Sequence, residues 1–185
     1  MGDIDDALRR AEYEAVTKAP PKTPLAQMRL LMRAEKGSTK AVAQRLGISR
    51  RQVERYLAQK AKHPRSALRD ALTREVKKAW QPRVRAQARK KAATTGGITI
   101  ETRARFGYTA PIGTTDDPRM RRLTVHLPAE YARYLFNAQQ AGVSDRQLRQ
   151  IVAEGLQEVY FKGNGARAQG LEVAITDIDY FDVSF

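Results

Sequence analysis

At Gly96-Gly97 the chain changes its period. Before that pair, apolar residues recur every three or four positions, as in Ile4, Ala7, Leu8, Ala11 and Ala15, then Leu25, Met28, Leu31 and Met32, then Leu68, Leu72 and Val76. Such spacing keeps them on one side of a helix. After the pair, Ile98 to Phe106 alternates apolar and polar residues, the two-residue period of a strand with one buried face. One period on each side of a glycine pair predicts two domains, 1–95 and 96–185. The predicted fold class is mixed: a basic all-α half carrying a helix-turn-helix, then a small α+β domain in the order β-β-α-α-β.

The expected helices of the first half are 3–17, 25–35, 39–46, 50–60 and 65–79. Pro20, Pro21 and Pro24 make a stiff linker after the first of them. Residues 81 to 91 are basic with almost no apolar stripe. In the second half, strands are expected at 98–106, 122–127 and about 171–183, with helices at 129–141 and 145–161. Gly107, Pro111, Gly113 and Pro118 predict a loop over 107–118.

Charge divides at the same place. The 185 residues carry a formal net charge of +14. Residues 1–95 hold 24 lysines and arginines against 9 carboxylates, and residues 96–185 hold 10 against 11. Crowded cations repel the compact state, whereas a polyanion relieves that repulsion and releases its own counterions on binding. A phosphate backbone is the partner this predicts. A membrane surface fits less well, because the basic stretches lack the Trp, Phe and Leu face of interfacial helices. No apolar run approaches the roughly 20 residues of a bilayer span, and the acidic start, Met1 to Asp6, is no secretory signal. With no cysteine there is neither disulfide nor thiolate metal site. The expected location is cytoplasmic, in contact with the nucleoid.

Residues 39 to 60 meet the needs of a helix-turn-helix. Two helices crossing at a tight turn require a small residue at the contact, a turn residue that accepts positive φ, and a shared apolar face. Ala43 and Gly47 serve the first two, and Val42, Leu46, Ile48, Val53 and Tyr56 the third. Thr39 is expected to cap the first helix and Ser49 the second. Arg50, Arg51, Gln52, Glu54 and Arg55 then face outward, where side chains reach base edges and phosphates. Ser38, Thr39, Lys40 and Arg45 are candidates for backbone contact from the first helix, and Ser49 belongs to the DNA-binding set beside its capping role. The segment Lys77 to Lys91 adds further phosphate contacts in this reading, through Lys77, Lys78, Arg89, Lys90 and Lys91.

The expected loop differs in character from the rest. Between Phe106 and Pro118 there is no lysine or arginine, but three threonines, a tyrosine and two carboxylates. That is a poor DNA ligand and a plausible presenter of a hydroxyl, or simply a surface turn whose aspartates cap the next element.

Three stretches carry a resemblance: Thr39 to Gly47 (TKAVAQRLG), Arg51 to Tyr56 (RQVERY), and above all Phe106 to Asp117 (FGYTAPIGTTDD), followed by Arg121 to Leu127. With these the chain resembles the telomere terminal proteins (Tpg type) of actinobacterial linear chromosomes and plasmids over essentially its whole length. The helix-turn-helix stretch is shared with many regulators, and the glycine-threonine-aspartate stretch is the specific one. The resemblance implies a protein that becomes joined to the DNA 5′ end and primes the synthesis that fills the terminal gap. It implies Thr114 as the nucleotide acceptor, with Tyr108, Gly113, Thr115, Asp116 and Asp117 as the supporting loop 106–118. Thr115 and Thr109 are the neighbours most easily confused with the acceptor. Gly107 and Gly113 would free the backbone, and the aspartates would imitate the charge of a primer strand. On this reading the chain is an acceptor and not a stand-alone enzyme. Mg²⁺ and the deoxynucleotide are supplied at the polymerase site, and the chain holds no cofactor of its own. The implied partners are a telomeric 3′ overhang or duplex end, a DNA polymerase and a telomere-associated protein, with self-association left open and no membrane.

Two other readings compete. A transcription regulator, with the second half as a dimerisation or ligand domain, accounts for the first half and leaves the loop without a role. A nicking or recombining enzyme would use Tyr108 as nucleophile, yet its usual metal site needs clustered histidines. His63 and His126 stand in different halves.

Overall fold

The computed structural model describes residues 2–109, 115–165 and 170–185. In chain order the helices are α1 (Asp3–Glu14), α2 (Pro24–Ala34), α3 (Thr39–Leu46), α4 (Arg50–Leu57), α5 (Ser66–Ala79), α6 (Pro82–Lys91), α7 (Ala129–Gln140) and α8 (Asp145–Leu156). The strands are β1 (Ile98–Thr109), β2 (Thr115–Leu127) and β3 (Glu172–Ser184). Single π-helical turns follow α6, at Ala92–Gly96, and α8, at Gln157–Phe161. The fold is thus mixed, with several helices and one small antiparallel sheet.

The chain forms two compact units, but not at the boundary its periodicity predicts. One is Val16–Val84; the other joins Met1–Ala15 to Arg85–Phe185. The first helix therefore leaves the basic half. Its stripe of Ile4, Ala7, Leu8 and Ala11 is buried in one core with the sheet, α7 and α8. Its N-terminus is held from far along the sequence: the Asp145 carboxylate accepts from Ile4 N at 3.1 Å and Asp5 N at 3.3 Å. Arg149 closes the cluster against Asp3 and Asp145. A helical stripe states that a helix has a partner, and not which partner it has. Charge sharpens on this division. Val16–Val84 holds 18 lysines and arginines against 4 carboxylates, a net of +14, while the other unit holds 16 of each.

The helical unit is built on capped helices around one core. The Thr23 hydroxyl accepts from Ala26 N ahead of Pro24, the Ser38 hydroxyl from Ala41 N, and the Ser49 hydroxyl from Gln52 N. Ser38 thus takes the capping place expected of Thr39, which is the first residue of α3. Met28, Leu31, Val42, Leu46, Val53, Tyr56, Leu72 and Val76 fill the interior. Trp80, the one tryptophan, donates from its indole N–H to the Lys18 carbonyl at 2.7 Å.

In the α+β unit the sheet order is β2-β1-β3, all antiparallel. Ile98, Ile100, Ala104 and Phe106 of β1 face the core with Leu123, Val125 and Leu127 of β2. The opposite face is polar and laced with ion pairs: Arg103 with Asp179, Arg105 with Asp177, and Arg122 with Glu101. Ser144 and Gln147 form a reciprocal capping box at the start of α8.

Much of the expected loop 107–118 is strand. Gly107 pairs with Ala174, Tyr108 with Asp116 and Val173, and Thr109 with Thr115 and Glu172. Glycine is weak evidence against a strand that has neighbours on both sides, and proline is tolerated at an edge or a bulge. β1 is the central strand, and the β1–β2 register shifts between Phe106 and Tyr108. Pro118 falls in the edge strand beside that shift, where a missing N–H costs little. Three helices end three or more residues earlier than expected: α1 at Glu14 rather than 17, α4 at Leu57 rather than 60, and α8 at Leu156, with the π turn covering 157–161.

Candidate nucleic-acid interface

The turn between α3 and α4 is closed by backbone geometry. Gly47 has φ +66°, Ile48 N donates to Ala43 O at 3.0 Å, and Gly47 N donates to Gln44 O at 3.2 Å. This paired closure satisfies the last carbonyls of α3 and needs a left-handed residue at its centre. Ala43 is buried at the helix contact, and Val53 and Tyr56 hold α4 down. What remains outward on α4 is Arg50, Arg51, Glu54 and Arg55, all exposed, with Gln52 half-buried. Lys40 is exposed and Thr39 half-buried on α3.

Arg45 is not part of that outward set. Its guanidinium donates to Glu35 at 2.7 Å, to Glu75 at 2.9 Å and to the Glu75 carbonyl at 3.5 Å. It thereby ties α3 to the end of α2 and to α5. Lys78 reaches the same Glu75 carboxylate at 3.0 Å. Burial opposes ionisation at both Glu75 and Arg45, but the hydrogen bonds prevail. With Lys78 and Arg45 donating, the Glu75 carboxyl is held below the usual glutamate range, and Arg45 is raised. Of the two cations expected at phosphate, Arg45 is committed to the unit's own structure, whereas Lys78 pairs with Glu75 and stays half exposed.

Arg89 is likewise engaged in its own unit. It donates to the Phe136 carbonyl at 2.7 Å, lies over the Phe136 ring at 4.7 Å and pairs with Glu12 at 3.5 Å. Its side chain is 17% exposed, too little to offer a phosphate. Lys90 and Lys91 on α6, and Lys77 on α5, are exposed.

Beside α4 lies a groove of about 660 Å³ in which Ser49, Arg51, Gln52 and Arg55 make one wall. The other wall comes from the segment after α4 and includes His63 and Arg65. No carboxylate lines it. The sequence signal was available, since no Asp or Glu occurs from Arg55 to Arg69. The run spans the end of one expected helix, the connection at 61–64 and the start of the next, so most of it lies beyond the helix-turn-helix of 39–60.

Of the hairpin residues, Thr114 and Gly113 lie outside the described residues. The backbones of Tyr108, Thr115, Asp116 and Asp117 belong to the paired ends of β1 and β2. His126 is at the opposite end of the hairpin. Its Nδ1 is 3.2 Å from the Thr99 hydroxyl, and Ser184 pairs with Thr99 on the other side. A side chain at Gly97, where φ is +67°, would run into the Leu127 carbonyl and the His126 ring. Among the described residues no group of three or more histidines and carboxylates is placed to hold a metal, and no helix is long and apolar enough to cross a membrane. No protein-family model, curated protein or solved structure matches this chain.

Proposed function

We propose that this chain binds DNA through α3 and α4 of its basic unit and acts as a terminal protein, with the β1–β2 hairpin presenting Thr114 as nucleotide acceptor. The observation that carries the DNA-binding part is the coincidence of charge and shape. The whole net charge of +14 falls in the 16–84 unit, and its capped helix pair leaves Arg50, Arg51, Gln52 and Arg55 outward. The acceptor part rests on the resemblance of residues 106–117, and the pairing of Thr109 with Thr115 supports it. That pairing brings the strands together on either side of 110–114, so these residues join the two ends of a hairpin. At about 3.3 Å per residue, twelve-residue β1 carries that end some 35–40 Å from Ile98.

The chemistry asked of the chain is small. The Thr114 hydroxyl oxygen attacks the α-phosphorus of a deoxynucleoside triphosphate. A Thr O–P bond forms, the α–β phosphoanhydride breaks, pyrophosphate leaves, and the hydroxyl proton passes to a base of the polymerase. Mg²⁺ and charge stabilisation come from the polymerase. The 3′-hydroxyl of the attached nucleotide then serves as the primer end.

The test is incubation with telomeric template, polymerase, Mg²⁺ and labelled deoxynucleotide, followed by denaturing electrophoresis. Label should stay on the wild-type chain and on Thr115→Ala, and be lost from Thr114→Ala. Arg51→Ala should weaken DNA binding while Thr114 remains modifiable. A chain that binds duplex but takes no covalent label with any template would instead be a helix-turn-helix regulator.

A further inference from the structure

The structure shows which of the chain's many cations are already engaged. Arg45, Lys78, Arg89, Arg103, Arg105, Arg122 and Arg149 each neutralise a carboxylate of their own unit. Arg51, Arg55 and Arg65 do not: among the described residues none of their side chains forms an ion pair. These three line the same groove, with His63 between the second and third in sequence and no carboxylate within it. A concave surface whose cations have no internal partner is where an external polyanion gains most, since nothing must be broken to bind it.

Resting on the DNA-binding reading above, we infer that His63 and Arg65 form a phosphate clamp opposite α4. The sugar-phosphate backbone of a duplex engaged by α4 lies in the groove between Arg51 and Arg55 on one wall and His63 and Arg65 on the other. The sequence motif ends at α4, so it assigns His63 and Arg65 no such place. The division of labour follows from chemistry. Arg51 and Gln52, at the start of α4, can reach base edges and so distinguish sequences. Arg65 meets only phosphate and strengthens binding to every sequence alike.

The experiment is fluorescence anisotropy of the full chain with a telomeric and a scrambled duplex, from about 50 to 300 mM salt. The variants are Arg65→Ala, Arg65→Lys, the double variant His63→Ala/Arg65→Ala, and Lys22→Ala as an exposed cation outside the groove. Trp80 emission and circular dichroism check that each variant is folded. Arg65→Ala should weaken both duplexes by the same factor and lower the log K against log salt slope by about one. The double variant should lose more, and Arg65→Lys should restore the slope. If Arg65→Ala matches Lys22→Ala in affinity and slope while wild type binds, the clamp is wrong and the DNA reading stands. If wild type binds neither duplex, both fall.

Discussion

Arg45 shows how burial decides what an arginine is for. Its guanidinium is 25% exposed and faces Glu35 and the 10%-exposed Glu75, so removing it leaves a nearly buried carboxylate with Lys78 and Arg74 as remaining partners. Arg45→Met should destabilise the helical unit by on the order of 2 kcal/mol, read as a lower midpoint for Trp80 fluorescence in urea. The same site sets an acid limit. Because Glu75 titrates lower folded than unfolded, its contribution is complete above the unfolded glutamate range and is lost as pH falls through the folded value. The wild-type midpoint should therefore drop below about pH 4.5, and Arg45→Met should show a shallower drop. Equal pH profiles would remove Arg45 from that role. None of this was legible in the sequence, where Arg45 and Arg51 differ only in their place on a helix. Arg45 stands on α3 one residue before the buried Leu46, and the carboxylates it meets lie 10 and 30 residues away.

At the scale of elements, local signals are legible in the sequence and distant partners are not. The α3–α4 turn follows from Gly47, Ala43 and Ser49, all within seven residues of one another. The length of the hairpin did not follow, because Gly107 and Pro118 speak for a loop and only the neighbouring strands overrule them. Helix α1 is the clearest case, with a legible stripe whose buried partners begin at Ala92, 81 residues after Ala11. Full burial of Ile4 and Leu8 contributes about 2 kcal/mol each, provided Asp145 holds the first turn in place. Asp145→Ala should remove the one carboxylate oxygen that accepts from both the Ile4 and the Asp5 amide. Hydrogen exchange at residues 4–11 should then speed up by at least tenfold, with protection of α3 and α4 unchanged. Unchanged protection of α1 would mean that its apolar contacts alone hold it.

For the whole molecule, charge and connectivity divide the chain in the same way. One unit carries the entire excess of cations and the other is neutral, though its two pieces enclose the first in sequence. Val16–Val84 expressed alone should fold, melt as the Trp80 signal of the full chain melts, and bind duplex DNA with most of the full chain's salt dependence. Arg85–Phe185 without residues 1–15 should expose the surface that Ile4 and Leu8 cover, bind a hydrophobic dye and aggregate. A stable, monomeric Arg85–Phe185 would show that α1 is an accessory to that core.

The nesting of one unit inside the other also sets an order of events during synthesis. Helix α1 leaves the ribosome ahead of the other elements described, yet β3, which shares its core, emerges more than 150 residues later. At 5–20 residues per second that is a wait of roughly ten to thirty seconds. The basic unit is complete by Val84, long before the sheet can close. A nascent chain would then hold its finished basic unit while its hairpin still lacked the third strand.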